Sequence, residues 1–440
     1  MPLQRFQDFL SSLVSSQRRL FSLGQPDDSL ATLLEKLMGT NGEVSAAIVA
    51  REVLDKYAAC SAEEKLEFFH SLEQDFNADM LEVKAAYHEY EKNPSSHNLN
   101  VLAKTSEPRR VEILRRLNQT PGATHDLVAM RYDLIGHLRQ HPELKSVDQS
   151  FVRLFTAWFS RSFLTLQTID WSTSAAILER IIRYEAVHAI KDWTDLRNRI
   201  DRPDRRCFAF FHPSLIDEPL IFVEVALSQE IPSAVAPILD IHAEPMDPAQ
   251  EYTVATFYSI SNCQPGLKAI SFGNFLIKQV VQELQAEFPG IKHFVTLSPI
   301  PGFDAWLKRD CDDEEAWTGL SEARERVRAL QIGQDTEKLE KEDETLLRKV
   351  IFHYLYRAKR GSHPLDPVAR FHLGNGALLH RVNILADLSE SGLHQSRGVM
   401  VNYLYDLSSI EANHERYVTE GTVQLSDKLA SLAFKPSRAG

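Results

Sequence analysis

The stretch that decides the fold lies between Thr253 and Leu297. It reads TVATFYSIS over 253–261, then FLIKQVVQELQAEF over 275–288 behind Gly273 and Asn274, then HFVTL over 293–297 behind Pro289 and Gly290. The first and last pieces are short β-branched and aromatic runs, the composition that suits a pleated, half-buried strand. The middle piece places Phe275, Leu276, Val280, Val281, Leu284 and Phe288 at helical spacing, and Pro289-Gly290 stops it. Strand, crossover helix, strand is the unit of an α/β or α+β domain whose sheet is in part parallel, because a parallel return needs a connection of that length.

Upstream of this unit, CFAFF (207–211) and PLIFVEVAL (219–227) read as two further strands, with His212-Pro213 and Asp217-Glu218-Pro219 bracketing a hairpin-like loop. Before them the period changes. Residues 1–190 read as helix after helix, with almost no strand signal. Ser61 and Glu64 form a capping-box pattern, followed by Leu66, Phe69, Leu72 and Phe76 on one face. Similar faces recur at Ala47, Val49, Val53 and Leu54, at Leu127, Tyr132, Leu134 and Leu138, over 151–163, and at Ile177, Ile181, Ile182 and Tyr184. The polar, charge-dense run 192–206, interrupted by Pro203, is the linker expected between the two halves. The expectation is an all-α helical bundle over 1–195, able to bury amphipathic faces against another copy, followed by a mixed α+β domain over 196–440.

At the N-terminus, residues 1–22 carry Arg and Ser with Leu and Phe at helical intervals, as a transit peptide does. Asp8 and the lack of a small-residue cleavage site favour a first helix of the fold. Beyond the sheet, 314–359 reads as helical and charged, with 337–344 a solvated face. The chain closes with Leu425, Leu429 and Leu432 on a last helix and a KPSRAG tail without a targeting address.

Composition sets outer limits. The chain has 440 residues, of which 43% are hydrophobic and 25% charged, which describes a globular protein with more than one core. No run approaches the ~18 apolar residues of a membrane span. A net charge of −12 argues against a general nucleic-acid binder. Cys60, Cys207, Cys263 and Cys311 show no CxxC or zinc spacing and read as reduced thiols.

No Walker A motif, GxGxxG, HExxH or GxSxG is present, so nucleotide hydrolysis, NAD chemistry and α/β-hydrolase catalysis lose their support. His137 and His141 stand four apart, the spacing of a metal pair on a helix, but without an acidic third ligand in the pattern they read as a solvated surface. Three clusters stand out. A strand running into the turn at Gly273-Asn274 leaves the N–H groups of a helix N-terminus free for an anion, with Lys268 and Lys278 beside it; an ordinary strand-to-helix turn is the other reading. Ser298 is followed by Pro299 and Pro301, which fix the backbone where a sheet edge opens, or simply make a turn. His372 precedes Gly374-Asn375-Gly376, a turn that lets backbone approach closely, although a lone His is more often structural.

Taken together these segments resemble the malonyl-CoA decarboxylase family. The matching text is FYSISNCQPGL (257–267), ISFGNFLIKQVVQELQAEFP (270–289), TLSPIPGF (296–303), PVARFHLGNGALLHRVNILADLSESG (367–392) and GVMVNYLY (398–405), in order over most of 207–410. The helical half is similar to the family's N-terminal domain in general character. The resemblance implies a GCN5-related acetyltransferase-like (GNAT) catalytic domain in which coenzyme A lies between splayed strands with its pyrophosphate at a helix N-terminus. It implies a CoA-binding loop on Lys268, Ala269, Ile270, Ser271, Phe272, Gly273 and Asn274, a catalytic Ser298 and His372, and Ser259 and Tyr405 lining the same pocket. Two positions depart from the pattern: Ser271 stands where some relatives have Glu, which leaves a carboxylate contribution near His372 in doubt, and Ile384 stands where Trp is common.

Decarboxylation of malonyl-CoA leaves a thioester enolate, so the thioester is itself the electron sink, and the reaction needs neither metal nor added cofactor, coenzyme A being part of the substrate. The expectation is that Ser298 positions the malonyl group and His372 protonates the enolate. The remaining expectations are a homo-oligomer, dimer or tetramer, built through the helical half, no nucleic-acid or membrane partner, and a bacterial cytoplasm. A CoA-dependent acyltransferase of the GNAT type is the alternative, and a CoA-sensing scaffold a third reading.

Overall fold

The computed structural model describes residues 28–245, 251–270, 275–309 and 320–433. The N-terminal segment 1–22, Cys311, the KPSRAG tail and Ser271, Phe272, Gly273 and Asn274 of the expected CoA loop lie outside them. The chain forms two compact units. One takes the described residues within Met1–Leu164, His212–Ile216 and Gln264–Ser271, and the other takes the remainder. Residues 165–195 therefore belong with the sheet and not with the helices before it.

The first unit is helical: α1 (Leu30–Gly39), α2 (Glu43–Ala58), α3 (Ala62–Gln74), α4 (Met80–Lys92), α5 (Ser96–Thr105), α6 (Arg109–Leu117), α7 (Ala123–His137) and α8 (Lys145–Trp158). The capping box is present. Ser61 Oγ accepts from Glu64 N at 3.2 Å, and Glu64 Oε2 accepts from Ser61 N at 2.8 Å, so two otherwise orphaned donors of α3 are satisfied. The core gathers Leu37, Val53, Phe69, Leu72, Leu114, Leu127, Leu134, Phe151 and Phe155. Tyr132 departs from the expected face and is 57% exposed. Each helical residue turns about 100°, so Tyr132 faces away from Leu127, Arg131 and Leu134, and Arg131 takes the buried place.

The second unit holds a seven-stranded sheet in the order β1-β2-β3-β4-β5-β9-β8. Its strands are β1 (Thr165–Ile169), β2 (Arg205–Phe211), β3 (Pro219–Ser228), β4 (Val254–Asn262), β5 (His293–Thr296), β8 (Leu378–Asn383) and β9 (Met400–Tyr405); the remaining two, β6 (Lys359–Arg360) and β7 (His363–Pro364), pair only with each other. Every pair in the large sheet is antiparallel except β4 with β5, which run parallel from Val254↔His293 to Phe257↔Thr296. The crossover helix expected between them is Phe275–Glu287. An all-α N-terminal part followed by a mixed sheet domain is the fold the sequence implied. β1 was not expected. It is an edge strand with only Ile169 buried, so it carries little of the apolar alternation that marks strands.

The run 192–206 is not a linker. Asp192 caps the helix α10 (Trp193–Ile200), accepting from Asp195 N. Arg199 is buried, where it bonds Asp195, Glu224 and the carbonyls of His188 and Ala189. Charges that look solvated in a sequence are here paired inside, the condition under which buried charge is tolerated. With α9 (Ala175–Tyr184), α10 covers one face of the sheet over Ile169, Cys207, Ala209, Phe211 and Phe222.

Candidate active site

β4 and β5 part at one point. The last bond between them runs from Leu297 N to Phe257 O at 2.9 Å, and β4 continues from Tyr258 to Asn262 beside β3 alone. Past the split, Ser298 turns to the other neighbour and exchanges both backbone bonds with Val401, at 2.8 and 2.9 Å. Behind it, Asn402 Nδ2 donates to Thr296 O at 2.7 Å while its Oδ1 accepts from Arg381 and Asn383. This polar brace holds β5 to β9 where the ladder would otherwise thin out.

His372 arrives from a helix of its own, Pro367–Gly374. Asp366 caps it and accepts from Ala369 N at 2.8 Å, and Pro367 occupies the first turn, where a missing N–H costs nothing. The helix ends at the glycine turn beyond His372. Gly376 has φ +83°, and a Cβ there would lie 2.1 Å from Ile410 O, so the position requires glycine on both counts.

The side chains meet in one line. Ser298 Oγ donates to Thr296 Oγ1 at 2.8 Å and lies 3.0 Å from His372 Nε2. His372 Nδ1 is 2.8 Å from the Tyr405 hydroxyl. One set of protons satisfies every contact: Tyr405 donates to Nδ1, Nε2–H donates to Ser298, and Ser298 donates to Thr296. The imidazole stacks on Tyr403 with centroids 4.7 Å apart and planes at 25°. Ser298, His372 and Tyr405 are 5%, 3% and 2% exposed, and burial pushes His372 down to about 3, so the ring is neutral. The Tyr405 phenol is pushed up by the same cause. The site is thus a buried, hydrogen-bonded Thr–Ser–His–Tyr chain that could relay a proton, beside the point where β4 and β5 part.

Ser298, His372 and Tyr405 come together as expected. Ser259 takes no part in that line of bonds: its hydroxyl donates to both oxygens of buried Glu185 at 2.8 Å, and Ser261 joins it at 3.1 Å. Glu185 also accepts from Val187 N and His188 N, so these serines tie the segment after α9 to β4. Lys278 is not a free cation, being paired with Glu411. Lys268, Ala269 and Ile270 belong to the helical unit, where buried Arg131 donates to Gly266 O at 2.7 Å and to Lys268 O at 2.9 Å and pairs with Asp148 at 2.8 Å. Ala269 takes φ +67°, a strained conformation for a residue with a Cβ. Sequence reasoning missed Thr296, Tyr403 and Arg131. The first two were within reach, since Thr296 stands two before Ser298, and Tyr403 two before Tyr405, on one face of a strand. Arg131 gave no signal, because nothing in a helical pattern distinguishes a buried arginine from a solvated one.

The C-terminal domain model of malonyl-CoA decarboxylase matches residues 162–438, and the N-terminal domain model of the same family matches 76–159. The mitochondrial malonyl-CoA decarboxylase of the goose Anser anser anser is 35% identical over 74% of this chain and 69% of its own length. Crystal structures of malonyl-CoA decarboxylase from Rhodopseudomonas palustris and Agrobacterium vitis superpose with TM-scores of 0.87 and 0.84, at 47% and 44% identity. They cover 91% and 92% of this chain, and 98% and 100% of their own.

Proposed function

The chain belongs to the malonyl-CoA decarboxylase family, and from that premise we propose that Ser298, His372 and Tyr405 carry the conversion of malonyl-CoA to acetyl-CoA and CO2, the reaction of a carboxy-lyase. The observation that supports these roles is the 3.0 Å contact of Ser298 Oγ with His372 Nε2, backed by Tyr405 on Nδ1. The malonyl end enters where β4 and β5 separate, and Ser298 holds it by hydrogen bonding. Its carboxylate beside the ring favours imidazolium, so binding takes up one proton that burial otherwise keeps out. The bond between the α-carbon and the carboxylate breaks, its electron pair moves into the thioester enolate, and CO2 leaves. The proton on Nε2 then passes to the α-carbon, which returns His372 to its neutral form and balances the reaction. Tyr405 keeps the ring oriented throughout.

The loop Lys268–Asn274 holds the coenzyme A pyrophosphate in this reading, supported by its place between β4 and the crossover helix. We further propose a homo-oligomer, dimer or tetramer, built through the helical unit. Supporting it, α4 and α5 bury no residue of their own yet present Met80, Leu81, Tyr87 and Leu99 at 50% exposure or more. No helix among the described residues is long and apolar enough to cross a membrane. A bacterial cytoplasm is the setting we propose, supported by the malonyl-CoA decarboxylases of Rhodopseudomonas palustris and Agrobacterium vitis that the chain resembles over most of its length.

The test is acetyl-CoA formation from malonyl-CoA alone, with no acceptor and no metal added. Wild-type protein turns over, which an acyltransferase lacking an acceptor does not. His372→Asn loses roughly 10²–10⁴-fold in turnover, the usual contribution of a positioned acid, at nearly unchanged affinity for CoA. Full activity in that variant removes His372 from the mechanism.

A further inference from the structure

We infer that His70, His141 and Glu143 form a transition-metal site on the helical unit, suited to Zn²⁺ and separate from the chemistry at Ser298. One ligand atom from each of the three lies within 4.8 Å of the other two. His141 Nδ1 stands 3.2 Å from Glu143 Oε1, and His70 Nε2 stands 3.9 Å from the same oxygen. A tetrahedral ion with bonds of about 2.0–2.1 Å spaces its ligands about 3.3 Å apart, so one edge is already at length and the others close by small side-chain rotations. Those rotations are open: the three side chains are 29%, 30% and 46% exposed, and the imidazoles meet edge-on at 5.3 Å.

The backbone beneath the cluster is preset. His70 lies in α3, His141 follows α7, and Glu143 sits in the short 3-10 turn Pro142–Leu144 that leads into α8. Buried Arg110 spans the same junction, donating to Leu72 O and Ser146 O and to Ser150 Oγ. Leu144 anchors the turn at 0% exposure. A metal bound here needs little reordering, which is what raises affinity at a preformed site. The ligand pair is not the one the sequence spacing offers: His137 stands 6.3 Å ring to ring from His141 and packs toward Phe69, whereas the true partner, His70, comes from another helix.

Two imidazoles with one carboxylate select a borderline ion such as Zn²⁺ over Mg²⁺ or Ca²⁺, which prefer oxygen throughout. Water completes the coordination at the exposed side. The ion links α3 to the α7–α8 turn, so it stabilises the helical unit without entering the reaction.

The full chain, stripped by dialysis against a chelator, is titrated with zinc chloride by calorimetry and melted with and without the ion. Wild-type protein binds one Zn²⁺ per chain, and its melting temperature rises by several degrees, while the decarboxylation rate stays the same. His141→Asn and Glu143→Gln bind at least about tenfold more weakly and lose the rise, with unchanged melting in the absence of metal. His88→Asn, an exposed histidine outside the cluster, keeps both. The assignment is overturned if the two cluster variants titrate like the wild type, if Mg²⁺ gives the same rise, or if no saturable binding is seen.

Discussion

At the scale of the residue, the decisive property of His372 is that burial alone sets its charge. Its folded value of about 3 lies below the ordinary 6.5, so between those limits the unfolded chain binds a proton that the folded chain refuses. The stability this contributes is complete above pH 6.5 and is lost as the pH falls toward 3, by up to about 1.4 kcal/mol per pH unit. Asp366 acts in the opposite sense. Its carboxyl, raised by burial to about 6 from 3.8, holds a proton in the folded chain first, so its share is present at low pH and lost as the pH rises through 6. Denaturant unfolding of the wild type and His372→Asn between pH 4 and 7 separates the two: the variant loses less stability on acidification. Parallel curves would mean that the imidazole is solvated.

At the scale of the element, the helix Pro367–Gly374 positions His372 from both ends, through Asp366 at its start and the Gly376 turn beyond it. Asp366→Ala removes the cap and costs about 1–2 kcal/mol, and turnover falls with it because the helix end that holds the imidazole shifts. Asp366→Asn keeps an accepting oxygen and is expected near wild type in both, measured by denaturant melts and steady-state kinetics. Equal losses in the two variants would show that charge, not capping, matters. In the sequence the helix Pro367–Gly374 reads only as the approach to a glycine turn, whereas the strands β2 to β5 and the crossover helix were legible because each pairs a clear period with a turn residue at its end. β1 was not, since an exposed edge strand shows little apolar alternation, and α10 was not, since its buried arginine network reads as a polar loop. The line of Ser298, His372 and Tyr405 was legible only through family likeness. Residues 298, 372 and 405 come from three separate elements, and spacing along the chain does not reveal which of them converge. Ser259, also in a matching block, bonds Glu185 through its hydroxyl, a partner that spacing did not reveal either.

At the scale of the whole molecule, Arg131 fixes the start of the proposed CoA loop through the Gly266 and Lys268 carbonyls. Arg131→Met leaves Asp148 and both carbonyls without that partner, a loss of about 3–5 kcal/mol for a broken buried pair. In the folded fraction KM for malonyl-CoA rises several-fold while kcat changes little, since the reacting groups are untouched; an unchanged KM would detach this loop from substrate binding. The two family models divide the chain between residues 159 and 162, a single cut. The three-dimensional division is not a single cut, because His212–Ile216 and Gln264–Ser271 are assigned with the helices although they are encoded within the sheet portion. A gene fragment starting at Thr165 would therefore carry two short orphaned pieces, and one ending at Leu164 would lack them. Such an interleaved pair is inherited as one block: shuffling either half into another protein means rebuilding both insertions, which favours descent of the two together over recombination as separate modules.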